Sequence, residues 1–275
     1  MISQKIVTHS FIALNITIII AAEFIGGGTF FFENGIIHGI AALFIIGVAI
    51  SLLHRYYFAD PMLKKFLNAC LIAFGVFSFS HVVEFLSDRF LGGYGDYLFA
   101  LTLNFYIISL LIMITGSETF LRAYSGYQRS RTAFALSNSV ILAFAVFSGL
   151  LFFDTSLISL EPANVVPYLY VCAVLTVAFV FWRRIIHLRR TIPLLDDFFV
   201  LLLWMVVFIA ISASAYALYD VIKDVFSISE HQIVYLSHFL FYGGMSIMFI
   251  AFHKLSYVGG GVIDDIKNYK KRGAV

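Results

Sequence analysis

Apolar residues run along this chain in long unbroken blocks, without the stripe of a surface helix or the alternation of a half-buried strand. A bilayer core of about 30 Å needs roughly 20 mostly apolar residues in one helix. Stretches of that length occupy residues 6–25, 35–54, 66–86 and 98–120, and then 133–153, 165–185, 194–219 and 233–255. They predict eight transmembrane helices. Turn chemistry separates several of them: Gly26-Gly27-Gly28, Asp60-Pro61, Gly92-Gly93-Tyr94-Gly95 and Glu161-Pro162. No internal repeat is visible, and the loops leave no room for a soluble domain. The expected organisation is an all-α bundle over residues 1–258, followed by a short basic tail over 259–275.

Composition agrees with the pattern. The chain is 61% hydrophobic and 12% charged, with mean hydropathy +0.95, whereas a soluble domain carries about a quarter charged residues. Too little charge is available to cover a water-facing surface of this size. A disordered chain, a collagen-like repeat and a soluble α/β enzyme are excluded, and nothing points to nucleic acid. The bilayer is the expected partner.

Charge then sets the expected orientation. Lys5; Arg55, Lys64 and Lys65; Arg122, Arg129 and Arg131; Arg183, Arg184, Arg189 and Arg190; and Lys254, Lys267, Lys270, Lys271 and Arg272 all fall on one side. Only Arg89 and Lys223 fall on the other. The positive-inside rule predicts a multi-pass protein of the cell membrane with both termini cytoplasmic. The outer loops are acidic, through Glu33, Asp88, Asp96, Asp154, Glu161, Asp220, Asp224 and Glu230. Cys70 and Cys172 fall toward opposite faces, so no disulfide between them is expected.

Ionisable side chains inside a span cost about 2.5–3.5 kcal/mol each on insertion scales and therefore mark candidate chemistry. Toward the outer side, His81 in the third span and His238 in the eighth lie roughly 10 Å deep at 1.5 Å per residue. Glu23 in the first span and His38 in the second are shallower. Glu84 follows His81 by three residues and shares its helix face. Toward the inner side lie His9, His54, Glu118 and His253. The middles of the fifth, sixth and seventh spans are nearly free of such groups. Asp196 and Asp197, at the start of the seventh, read as carboxylates complementing a helix N-terminus. Glu118 and Arg122 are spaced for a local i,i+4 ion pair.

Two spans carry histidine at both ends: His38 and His54 in the second, His238 and His253 in the eighth. The arrangement is similar to the histidine placement of dihaem cytochromes b, which implies haem b held between imidazoles and electron transfer across the bilayer. No motif-level resemblance accompanies it. At about 100° per residue His238 and His253 share a face, whereas His38 and His54 point nearly opposite ways. His81 with His238 is then the preferred outer haem pair, His54 with His253 the inner candidate, and His38 a spare or a propionate partner. The rival chemistry is a transition-metal or proton site at the outer end, with Glu23, His38, His81, Glu84 and His238 as ligands. No HExxH, CxxC or phosphate-loop motif is present. Three classes of function follow: a haem-bearing electron-transfer subunit, a cofactor-free anchoring subunit of a larger membrane complex, and a small transporter or sensor. Short loops and the missing catalytic motifs favour a subunit over a free-standing enzyme.

Overall fold

A computed structural model describes residues 36–56, 61–86, 95–125 and 162–258, with a few single positions elsewhere. The first predicted span, the fifth and the basic tail therefore lie outside the described residues. Those described form helices α1 (Ile36–Tyr56), α2 (Pro61–Leu86), α3 (Gly95–Ser125), α4 (Pro162–Thr191), α5 (Asp196–Ala217), α6 (Tyr219–Phe226) and α7 (Glu230–Val258). A single 3-10 turn, Pro193–Leu195, joins α4 to α5, and no strand occurs among them.

The turn signals double as helix starts. Pro61 and Pro162 are the first residues of α2 and α4, where a missing N–H costs nothing and the fixed φ suits the helix. Gly95, last of the glycine cluster, opens α3. Five helices carry stretches long and apolar enough to cross a membrane: Leu63–Leu86, Asn104–Arg122, Pro167–Thr191, Asp196–Ala217 and Glu230–Phe252. In α1 the apolar stretch Ile36–Ile50 is shorter.

Six of the helices close a ring in which α1 packs on α2, α2 on α3, α3 on α4, α4 on α5, α5 on α7, and α7 back on α1. Aromatic side chains fill its interior. At one end Phe66 meets Phe120 and Phe198, which in turn meets Phe252. Phe74 and Phe77 occupy the middle, edge-on to Phe252 and Tyr106. Outside, Leu43, Ile50, Ile72, Phe179 and Trp204 are exposed. Apolar residues on both faces are what a helix shared between a protein core and lipid requires.

Close approaches need small residues. A Cβ at Gly116 of α3 would lie 2.4 Å from the Ala69 Cβ of α2, and one at Gly243 of α7 would lie 2.9 Å from the Phe208 ring of α5. Across the α5–α7 seam Ser212 donates to the Ser237 carbonyl at 2.8 Å, and Ser237 returns a bond to the Ser212 carbonyl at 3.1 Å. Reciprocal hydroxyl bonds of this kind hold helices together where burial from water supplies no force. Cys70 is buried, Cys172 exposed, and both are free thiols, as expected.

Two sequence expectations change at the end of the ring that holds Phe66 and Phe120. Glu118 does pair with Arg122 (3.2 Å), but Arg184 of α4 also reaches it at 3.3 Å, so a buried carboxylate is held by two guanidinium groups. Ser117 and Thr119, its neighbours, bond back to carbonyls of their own helix. Asp196 and Asp197 do lie in the first turn of α5, where their charge complements the helix N-terminus, but the N-cap position is Leu195, with no side-chain cap bond. Asp196 also accepts from the Nε and Nη2 groups of Arg189 across the 3-10 turn, Arg189 Nη2 to Oδ2 at 3.1 Å.

Candidate metal centre

Opposite that end, α1, α2 and α7 converge. His38 lies in the first turn of α1, His81 and Glu84 in the last two turns of α2, and His238 two turns into α7. Because α1 and α7 run parallel while α2 runs against them, these positions meet at one level. All four residues are buried, at 5% exposure or less. The i,i+3 spacing of His81 and Glu84 puts both on the inward face of α2, with His81 Nδ1 at 2.9 Å from Glu84 Oε2. His38 Nδ1 lies 3.1 Å from the same oxygen and 3.1 Å from His238 Nε2. One nitrogen from each imidazole falls within 4.8 Å of the others, which makes this the histidine cluster able to hold an ion among the described residues.

The outer contacts fix how the donors point. His238 Nδ1 lies 2.9 Å from the Val234 carbonyl, an acceptor only, so Nδ1 carries the proton and Nε2 presents its lone pair to the cluster. Tyr106 of α3 places its hydroxyl 3.2 Å from His81 Nε2, leaving Nδ1 to face Glu84. Tyr216 of α5 donates to Glu84 Oε1 at 3.3 Å, leaving Oε2 to face the imidazoles. Tyr242 donates to the Ile37 carbonyl at 2.6 Å and ties α7 to α1 beside the cluster. Despite their proximity, His81 Nδ1 and Glu84 Oε2 are both buried without a properly directed hydrogen bond. Ionisable groups paired at this distance without a directed hydrogen bond are poorly compensated in an apolar interior unless something else satisfies both.

A metal ion fits that need. Zinc bonds of about 2.0–2.1 Å imply donor–donor edges of about 3.3 Å in a tetrahedron. Three of the six edges, 2.9, 3.1 and 3.1 Å, come within a few tenths of an ångström of that figure, and the three imidazole nitrogens lie within 4.8 Å of one another. Three imidazole nitrogens suit zinc, copper or iron, and a single carboxylate beside them is too little oxygen for calcium or magnesium.

Of the residues singled out in the sequence, His38, His81, Glu84 and His238 come together here. His38, a spare in the haem reading and a ligand in the metal one, sits at the centre, touching both Glu84 and His238. His54 lies sixteen residues from His38 on α1, about 24 Å along the axis, and His253 about 22 Å from His238 on α7, so neither joins this cluster. The side chains of His54 and His253 are outside the described residues, as are Glu23 and His9. His231, which shares a helix face with His238, instead contacts Ser229 and Tyr235 nearer the helix start. Tyr216 went unrecognised because the seventh span looked chemically empty. Its one signal was a phenol near the outer end of a span, at the depth of the outer histidines. No protein-family model matches the chain, and no curated protein or solved structure matches it.

Proposed function

We propose that this chain is a membrane-embedded metalloprotein whose centre is formed by His38, His81, Glu84 and His238, with zinc the first candidate ion. The convergence of those four donors, three of them with an outer partner aiming it inward, carries the proposal. His238 has the Val234 carbonyl, His81 has Tyr106 and Glu84 has Tyr216; such partners are typical of metal ligands. Four protein donors would leave no open position on a tetrahedral ion, which favours a binding or architectural centre over a hydrolytic one. The ion would pin α1, α2 and α7 where the ring closes.

Haem b between His81 and His238 is the less favoured occupant. The rings of His38, His81 and His238 form a compact triangle, with centroids 4.7, 5.8 and 6.1 Å apart. His38 and Glu84 stand where a planar macrocycle would have to pass.

The eight-span arrangement, with cytoplasmic termini, is part of the same proposal. Glu118 near the end of α3 pairs with Arg184 near the end of α4, which supports a parallel course for the two helices. A parallel course is what the eight-span alternation, with one crossing between these two helices, expects of them.

Cobalt substitution tests the centre. Purified protein loaded with Co(II) is expected to develop the strong visible bands of tetrahedral coordination, and His238→Ala to lose them. A weak octahedral spectrum unchanged in that variant would reject the site. A reduced α-band after haem addition, lost in His81→Ala, would restore the haem reading.

A further inference from the structure

Between α5 and α7 the chain makes a short helix that the hydrophobic blocks of the sequence conceal. In α6, Tyr219–Phe226, successive residues advance by about 100°. Tyr219, Val221, Ile222, Val225 and Phe226 then fall within one continuous arc, and Asp220, Lys223 and Asp224 fall within the opposite one. The separation is complete over two turns. Yet none of its side chains is buried: Val225 and Phe226 are about two-thirds exposed, among the most exposed large apolar side chains described.

Its location says what covers that face. The preceding candidate span ends at Ala217 and the following one begins at Glu230, so α6 starts two residues beyond one membrane crossing and ends four before the next. Ser227, with φ 52° and ψ 37°, takes the left-handed conformation that stops α6 and turns the chain into α7. A helix held this way at the mouth of two spans has neither the length nor the apolarity to cross a bilayer. It has the segregated faces of one that lies in its surface.

We infer that α6 is an interfacial helix whose Val221–Ile222–Val225–Phe226 face inserts into the headgroup–acyl boundary of the lipid, with Asp220, Lys223 and Asp224 turned to water. The attachment is hydrophobic. One lysine against two aspartates leaves the polar face without the basic excess that anionic lipid would select, so phosphatidylcholine suffices as partner. The helix also sets the depth of the histidine cluster. With the start of α7 held at the interface, His238, eight residues further on, lies about 12 Å inside the membrane.

Nitroxide labels on the full chain test this. Single cysteines replace Lys223, Asp224, Val225 and Phe226, covering one turn, in a Cys172→Ser background (Cys70 is buried). The protein is reconstituted singly in phosphatidylcholine nanodiscs. All four positions are exposed, so the labels displace no packing. Accessibility is read as the ratio of collision with oxygen, which partitions into lipid, to collision with a water-soluble nickel chelate. The ratio at 225 and 226 is expected to exceed that at 223 and 224 severalfold. Equal, water-like ratios at all four positions would show α6 standing in solvent, and 225 and 226 shielded from both reagents would show a protein covering; either overturns the inference. A label at Phe179, exposed on α4, reads the membrane itself. A water-like value there would remove the bilayer reading as a whole, a failure distinct from that of α6 alone.

Discussion

Glu84 is the residue on which the candidate centre turns, and Tyr216 is what orients it. With the Tyr216 hydroxyl on Oε1, the carboxylate can offer Oε2 to His81 and His38 without rotating. Removing that hydroxyl should loosen the donor without removing it. Tyr216→Phe is expected to weaken metal affinity by about 10–100-fold, the usual cost of an outer partner, with helix content unchanged. Titration against a chelator of known affinity measures this. Glu84→Gln, which removes the charge as well, should weaken binding more than Tyr216→Phe; the reverse order would put the tyrosine itself on the ion. The second charged residue of note, Glu118, obeys a different logic. It is 2% exposed and held by Arg122 and Arg184, of which Arg184 is the more buried. Arg184→Ala should therefore cost about 2–3 kcal/mol of unfolding free energy in detergent, and Arg122→Ala less, because solvent screens the more exposed partner.

Helix packing is where the glycines and serines matter. Gly116→Val places branched carbons where Ala69 already lies 2.4 Å from the first of them, so α2 and α3 must move apart. The expected loss is about 1–3 kcal/mol, read from the unfolding midpoint, and Ala69→Gly in the same chain should restore part of it. The paired bonds between Ser212 and Ser237 should show a coupling of about 0.6 kcal/mol in a double-mutant cycle, the average for hydrogen bonds between membrane helices. Zero coupling would mean that small side-chain volume alone selects serine there. At the same scale, the sequence pattern located α1 to α5 and α7 by their apolar blocks and proline starts, because length and hydropathy alone define a spanning helix. It missed α6, whose eight residues are too few and too polar to register as a block.

Across the whole molecule, depth along a span was legible in the sequence and lateral position was not. His81 and His238 were placed at one depth from their distances to the span ends, with His38 shallower; the structure brings His38 to the same level as the other two and Glu84. Which of them face one another depends on ring order. Only the closure of α7 onto α1 brings His38 to His238, and only the position of α5 brings Tyr216 to Glu84. Rotation within one helix set His38 against His54 but says nothing of the neighbour each would meet. The Glu118–Arg184 pair was hidden for the same reason: it joins helices separated by 36 residues of intervening chain.

The most direct measurement is the metal content of the purified protein after growth with zinc, copper and iron supplied, by elemental analysis per chain. Wild type would be compared with His38→Ala, His81→Ala and His238→Ala. The proposed centre predicts close to one transition-metal ion per chain in wild type and a large loss in each histidine variant that still folds. Wild-type protein free of metal under these conditions, or folded variants that keep their full complement, would contradict it.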